Sequence, residues 1–595
     1  MNLIDSVDLA ALRARLVARP YLVLGAIAVL VHMVVMGLRM RGGYFQIDDF
    51  YNFWVVRDHG QRWQALFEPD TGQVAPLFRL TNLIVFNVVG LNHFVTLGLS
   101  LTTTASCVAL LAMTAARGRT PLWLAAGCVM VAAVTWVPAQ SLWWWSSSVH
   151  VVFSTFFALC AIYVAANPVR QLSRRQKAAL MLFGALGLGF YTKTGLALVL
   201  CGIIRFYIRR CHPGRPVWRD LLGALSDLTF AIGALAAYVA LFEVVHVRAP
   251  INVAPVGLIV SSVLAGLQHG WLGALVGIRS ALFTPGANRM ASVVGDLVAI
   301  ATVFAALRQN PRTVWLWIGL PLCIAGGLTL IAATRAVAYG TWVVFEPRYN
   351  VDGVFEALAV VVIAFGGIYG SAPSAQRAGS RTRLVGILIL VGVGALHASG
   401  AWTYPIGWDT RPVRAFVQQL KRDSTGVAHG GAIVGQRTMP QAVVGPIPRD
   451  VGVLSQFAII LPKPFVVGPW DVATHQLDDQ GRLHSFASLP RLNLVDLDGR
   501  HVTVALVAPF EGGGEIDGLS ATLIQGWTGS NIASAGQVQV VITDGARIAA
   551  RATTLGEDGS KTRFQAKLPA PIPPGRLHAY LLIDRRIAIV LPIDK

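Results

Sequence analysis

Charge is the scarcest ingredient of this sequence. Only 13% of its 595 residues are Asp, Glu, Lys or Arg, against roughly 25% in an ordinary soluble domain. So little charge cannot cover the surface of a soluble protein of this length, and a wholly soluble fold is excluded. Cysteine is scarce too. Cys107, Cys128, Cys160, Cys201, Cys211 and Cys323 all lie in or beside apolar segments, and none has the paired spacing of a zinc site. The C-terminal region has no cysteine, so it must fold without disulfides even if exported. After residue 400 there is also no apolar run near the length of about 20 residues needed to cross a bilayer. No internal repeat is evident. These absences divide the chain into a membrane part, 1–400, and a soluble part, 401–595.

Hydrophobic residues make up 54% of the chain, and the formal net charge is +19. Such a charge could suggest nucleic acid, but the basic residues sit in short clusters between apolar runs. That is the signature of membrane topology, because Lys and Arg are retained on the cytoplasmic side. Arg13, Arg15 and Arg19 precede a first apolar run, from Tyr21 to about Leu38, that lacks a convincing cleavage site. Further candidate spans are 93–115, 121–138, 148–167, 178–191, 195–209, 220–243, 291–307, 314–333, 351–370 and 383–400, about eleven in all. An odd count with an inside N-terminus puts residues 401–595 outside. The clusters Arg117/Arg119, Arg170/Arg174/Arg175/Lys177, Arg205/Arg209/Arg210/Arg215/Arg219, Arg308/Arg312 and Arg377/Arg381/Arg383 all then fall inside. Residues 39–92 form a long first outer loop, in which 76–90 reads as a helix lying in the interface. The run 254–267, within the outer segment 244–290, reads the same way.

Past residue 401, a helix at 411–422 is followed by short apolar or alternating runs punctuated by Gly, Pro, Asp and Asn. VTVALVAPF, VQVVIT and HAYLLID are examples. They predict a mainly β, sandwich-like domain with a small α/β portion before residue 490. Abundant Arg, Ala, Gly and Val point to a GC-rich bacterial genome, which places the chain in a bacterial inner membrane, N-terminus in the cytoplasm.

The first outer loop holds YFQIDDFYNFW, residues 44–54. Asp48 and Asp49 lie there among aromatic side chains, where one carboxyl could have a raised pKa or the pair could hold a divalent metal. A helix N-cap with a solvated acidic neighbour fits the same residues. Lys193 in YTKTG, and Arg348 and Tyr349 in FEPRYN, fall at the outer ends of spans. Cations there run against the positive-inside bias and suit an anionic headgroup, although a snorkelling side chain is an equal account. Arg79 is either a phosphate partner or an interface anchor. His150, beside Ser146, Ser147 and Ser148, is either an acceptor contact or a buried hydrogen-bonded histidine. Trp143, Trp144 and Trp145 suit an aromatic belt or a sugar-stacking floor.

The acidic first-loop motif resembles the C-type (GT-C) superfamily of membrane glycosyltransferases, which includes the protein O-mannosyltransferases and the lipid A aminoarabinose transferases. So do APLFRLTNLIVFNVVGLNHFVTLGLSLTTTASCVALL at 75–111, WWWSSSVHVVFSTFFALCAIYV at 143–164 and GFYTKTGLALVL at 189–200. The resemblance covers residues 20–210 and continues afterwards mainly in topology. It departs at Thr194, where relatives often have an acid after the lysine. It implies a polyprenyl-phosphate sugar donor, an acceptor hydroxyl in the cell envelope and no nucleic acid. The first-loop acid would be the general base of an inverting displacement, with Asp49 slightly preferred to Asp48. Two other classes compete: a flippase or transporter for a lipid-linked saccharide, which Asp296 and Glu356 inside apolar stretches would suit, and a non-catalytic scaffold binding envelope glycan. The topology makes a direct prediction. A cysteine introduced at Gly430 should react with a membrane-impermeant maleimide in intact spheroplasts; reaction only after the membrane is opened would reverse the assignment.

Overall fold

The computed structural model describes residues 19–59, 66–67, 73–212, 214, 216–246, 253–278, 285–369, 380–403 and 409–424. In the C-terminal region it describes 433–437, 439–440, 443, 454, 466–468, 470, 472–509, 514–520, 522–529, 538–558, 561–573, 575–583 and 586–593. Arg13, Arg15, Arg215, Arg377 and Gly430 lie outside the described residues. Contacts gather the chain into two compact units. One is 1–43 with 59–407, and the other is 44–58 with 408–595.

The first unit is helical. Among the described residues, eight helices are long and apolar enough to cross a membrane, or nine if Val217–Asp227 and Thr229–Val245, bent by 63°, are one span. Pro20–Met40 shows how they pack. Ala28, His32, Met36 and Met40, each four residues from the next, are buried, while Leu22, Ile27, Leu30, Val34 and Leu38 face outward. His32 ties three helices together, with Nδ1 2.9 Å from the Ala133 carbonyl and Nε2 2.9 Å from the Thr104 hydroxyl. A buried polar side chain satisfied this way fixes rotation without a charge.

The helix list differs in detail from the apolar runs. The run expected to end at residue 267 continues as Val256–Leu275, which is long enough to cross. Gln268, His269 and Gly270 break its hydropathy, but the backbone carries them through a π-helical turn, Gly266–Trp271. His269 Nδ1 meets the Ser292 hydroxyl there at 2.5 Å. Three other expected spans are short or polar-ended helices: Arg174–Phe190, Thr194–Cys211 and Val351–Ala364.

Arg174–Phe190 and Thr194–Cys211 form a tight hairpin. A Cβ on Gly187 would lie 2.4 Å from Thr194 Cγ2, so the close approach at the turn depends on glycine. At the far end, Arg205 is wholly buried and donates to the carbonyls of Ala165, Asn167, Val169 and Arg170 at 2.6–3.2 Å. It thereby caps the carboxyl end of Phe153–Ala165, whose last carbonyls have no partner within the helix. Its charge is balanced by Asp227, which also accepts from Arg209 and from the Leu172 amide. Arg205 and Arg209 are therefore internal struts rather than solvated anchors.

In the second unit, Arg411–Ser424 buries Val413, Phe416, Val417 and Leu420. A four-stranded sheet runs in the order Val466–Gly468, Ile433–Gly435, His475–Leu477, Leu483–Ser485, its first three strands parallel. This is the expected small α/β portion. Beyond it the β region is a closed barrel plus a sheet. The barrel order is Arg547–Arg551, Arg491–Val495, His501–Val507, Ile587–Leu591, Leu577–Ile583, Val538–Asp544. The four-stranded sheet runs Thr553–Asp558, Lys561–Lys567, Leu523–Gly529, Gly514–Leu519. Val541, Tyr580 and Leu582 join one core, while Val540, Ile542, Leu581 and Ile583 join another shared with Phe564 and Ile524 of the sheet. Both faces of these strands are covered, which explains near-continuous apolar runs such as VQVVI and AYLLI.

The internal ion pair sets a stability expectation for the first unit. Asp227→Asn leaves the Arg205 charge buried and uncompensated, and should destabilise the detergent-solubilised chain by about 3–5 kcal/mol. Arg411→Ala, which removes an exposed pair with Asp409, should leave the melting curve unchanged. Thermal unfolding followed by tryptophan fluorescence checks both.

Candidate functional site

The hairpin turn Tyr191–Lys193 presents Lys193 at the start of Thr194–Cys211. Its ammonium donates to the Tyr349 carbonyl and to Asp352 Oδ1, both at 2.9 Å, and lies 2.7 Å from Asp352 Oδ2. The side chain reaches them across Gly327, where a Cβ would stand 2.6 Å from Lys193 Cε. Asp352 sits in the first turn of Val351–Ala364, where a helix amino end favours an anion. Glu356, one turn later on the same face, is also buried. The acid beside Lys193 thus comes from another helix, and Thr194 packs against Gly187.

Arg348 and Tyr349 lie on a 3-10 turn, Pro347–Asn350. Gln140 holds this turn, donating to Glu346 Oε2 at 2.5 Å and accepting from the Arg348 amide at 3.4 Å. The Arg348 guanidinium lies 4.3 Å from the Trp144 ring and 4.9 Å from the Tyr349 ring. Arg335, on Val314–Tyr339, donates to the buried Tyr349 hydroxyl and stands 5.3 Å from its ring. His150, on the π-helical turn Ser148–Val152, packs against Phe78 at 3.7 Å between ring centroids and stacks on Tyr191 at 5.9 Å. The charges of Arg335, Arg79 and Arg348 all act on its ring. Its Nε2 is enclosed and has no hydrogen-bond partner among the described residues. Arg79, on Pro76–Val89, is buried, and one turn further Asn82 accepts from Trp145 Nε1 at 2.9 Å.

Lys193, Arg348, Tyr349, Arg79 and His150 are therefore one neighbourhood, drawn from four parts of the sequence. Lys193 is committed to Asp352. Arg79, Arg335 and Arg348 lie about a histidine and two tyrosines. Such a set suits an anion with several oxygens, since guanidinium forks and a phenol offer donors in fixed directions. Arg335, Asp352 and Glu356 complete the cluster without having been singled out as site residues. Arg335 carried the signal used for Arg348, a cation at the outer end of a span.

The acidic motif belongs to the second unit. It opens helix Ile47–His59, and the fully buried Asp49 accepts the Gln46 amide on Oδ2 at 2.8 Å, as the third helical residue of a capping box does. Asp48 is half-buried, and its carbonyl accepts from Asn52 Nδ2 at 2.7 Å. Phe45, Phe50 and Phe53 pack edge to face and are fully buried. Arg414 lies 5.6 Å from the Tyr44 ring, and burial pushes the Tyr44 hydroxyl up to about 12 against the pull of that arginine. For a divalent ion the pair offers two carboxylates, and no group of three or more His, Cys, Asp or Glu suited to a metal occurs among the described residues.

No protein-family model and no curated protein matches the chain. Among solved structures it is similar to the archaeal oligosaccharyltransferase AglB from Archaeoglobus fulgidus, in complex with an inhibitory peptide and a dolichol-phosphate. Identity there is 11% over 72% of this chain and 64% of that one, with a TM-score of 0.39. It is similar to ArnT from Cupriavidus metallidurans bound to undecaprenyl phosphate, at 12% identity over 74% of this chain and 85% of that one, TM-score 0.38. A third is the arabinofuranosyltransferase AftD from mycobacteria, at 14% identity over 76% of this chain and 32% of that one, TM-score 0.40. These neighbours are glycosyltransferases of the C-type superfamily. The likeness is distant, and this chain spans less than two thirds of AglB and about a third of AftD.

The Lys193–Asp352 bond makes a sharp expectation. Lys193→Met or Asp352→Leu alone should each destabilise by about 3–5 kcal/mol, because each strands a buried charge. The double substitution should cost well under the sum, which a double-mutant cycle on thermal or denaturant unfolding measures.

Proposed function

We propose that the chain is a glycosyltransferase that moves a sugar from a polyprenyl phosphate to an envelope acceptor hydroxyl on the extracytoplasmic face. The observation that carries this reading is the convergence of Arg79, Arg335 and Arg348 around His150 and Tyr349 in a membrane-spanning unit. Guanidinium forks converging from separate segments match the several oxygens of a phosphate. A lipid phosphate brings both the charge and an anchor in the bilayer.

In the proposed reaction the acceptor oxygen bonds to the anomeric carbon as the bond from that carbon to the phosphate oxygen breaks, with inversion. The lipid phosphate leaves with the bonding pair, and the three arginines stabilise it most when its charge is greatest. The acceptor proton passes to the first-loop carboxylates. We assign it to Asp48, the half-buried member, because Asp49 is fully enclosed and its carboxylate accepts the Gln46 amide. Asp49 then holds the helix start that carries Asp48.

Purified protein supplied with a panel of polyprenyl-phosphate sugars should release the free lipid phosphate with one of them. Asp48→Asn should then lower turnover by roughly 10²- to 10⁴-fold with donor affinity largely intact, because the amide cannot accept a proton. Arg335→Ala and Arg348→Ala should lower donor affinity and turnover together. Full activity in an Asp48→Asn, Asp49→Asn double variant would remove the proposed base.

A further inference from the structure

Helix Val217–Asp227 is inside out. The face turned to the protein is polar and small: Asp220, Ala224 and Asp227 are buried, with Asp220 accepting from Arg210 at 3.1 Å and Asp227 held by Arg205 and Arg209. The face turned outward is apolar. Val217, Trp218, Leu221, Leu222 and Leu225 are each between 45% and 56% exposed. At 1.5 Å per residue a helix of this length is too short to cross a bilayer, and it departs by 63° from the longer apolar helix that follows it. Cations border the apolar face. Arg219 is exposed with its guanidinium 5.1 Å from the Trp218 ring, Arg174 and Arg175 are exposed on the neighbouring helix, and Lys177 of that helix donates to the Ser226 carbonyl at 2.6 Å. Both acids of the helix point inward, so its outer face carries no negative charge.

We propose that Val217–Asp227 is an interfacial helix that docks on the acidic phospholipid headgroups of the bilayer, at the end of the bundle that carries Arg205, Arg209 and Arg210. Trp218 and the leucines enter the acyl boundary together, and Arg174, Arg175 and Arg219 meet lipid phosphates. This reading does not depend on the transferase activity.

Nitroxide labels on Trp218→Cys, Leu221→Cys, Leu222→Cys and Leu225→Cys of the full chain test it, with the unsubstituted chain giving the background from half-buried Cys211. In phosphatidylcholine vesicles containing phosphatidylglycerol, power saturation should place all four at a similar depth, about 5–10 Å below the phosphates. Withdrawing phosphatidylglycerol should raise the accessibility of these labels to a water-soluble nickel reagent, and an Arg174→Gln, Arg175→Gln, Arg219→Gln variant should lose that response. Depth increasing steadily from 218 to 225 would make the helix the first part of a broken span and overturn the proposal. So would dipolar broadening between labels, which would assign the face to a second copy, or water-like nickel accessibility in every membrane. Depth and accessibility indifferent to phosphatidylglycerol would overturn the acidic-lipid assignment.

Discussion

An ammonium ion inside a helical membrane unit must find a counter-charge close by, and for Lys193 the position of that charge organises much else. Asp352 lies 159 residues away in sequence, so their bond joins Thr194–Cys211 to Val351–Ala364 and passes over Gly327 of Val314–Tyr339. The same ammonium holds the Tyr349 carbonyl, which fixes the short turn bearing Arg348. Tyr349 in turn receives Arg335. A single pairing therefore helps fix where two arginine-bearing segments meet, and an ion-paired lysine here orders the site.

Most of the helical architecture is legible from apolar run length alone, since a bilayer imposes one length on every crossing element. The departures have a common origin: hydropathy averages over a helix and loses its faces. Residues 217–227 are apolar enough to join a span at 220–243, yet the spacing of Asp220, Ala224 and Asp227 assigns the polar side to the protein. Gln268 and His269 interrupt a run that the backbone continues through a π-helical turn.

In the site, Lys193 and Arg348 are legible because cations at an end predicted to be outer violate the charge bias. Arg335 obeys the same rule but sits just past a span drawn to residue 333, where it reads as an end anchor. Asp352 is invisible as a partner, since nothing local in TKTG or RYNVD links the two. The acidic pair is legible as a motif but not in its internal division of labour. That division depends on which carboxylate closes the helix start at Gln46, and adjacent identical residues carry no such information.

The barrel in the second unit has a consequence for how the chain is made. Its circle of strands closes through a parallel pairing of Ile587–Leu591 with His501–Val507. Strands covered on both faces have little in-and-out alternation to pin their register, so ring closure must do so. Until residues 587–591 have been made, strands from residue 491 onward present open edges and apolar faces, the condition in which chains pair wrongly. Ring closure must therefore wait on about a hundred residues of chain, and a chaperone would have that whole interval to guard.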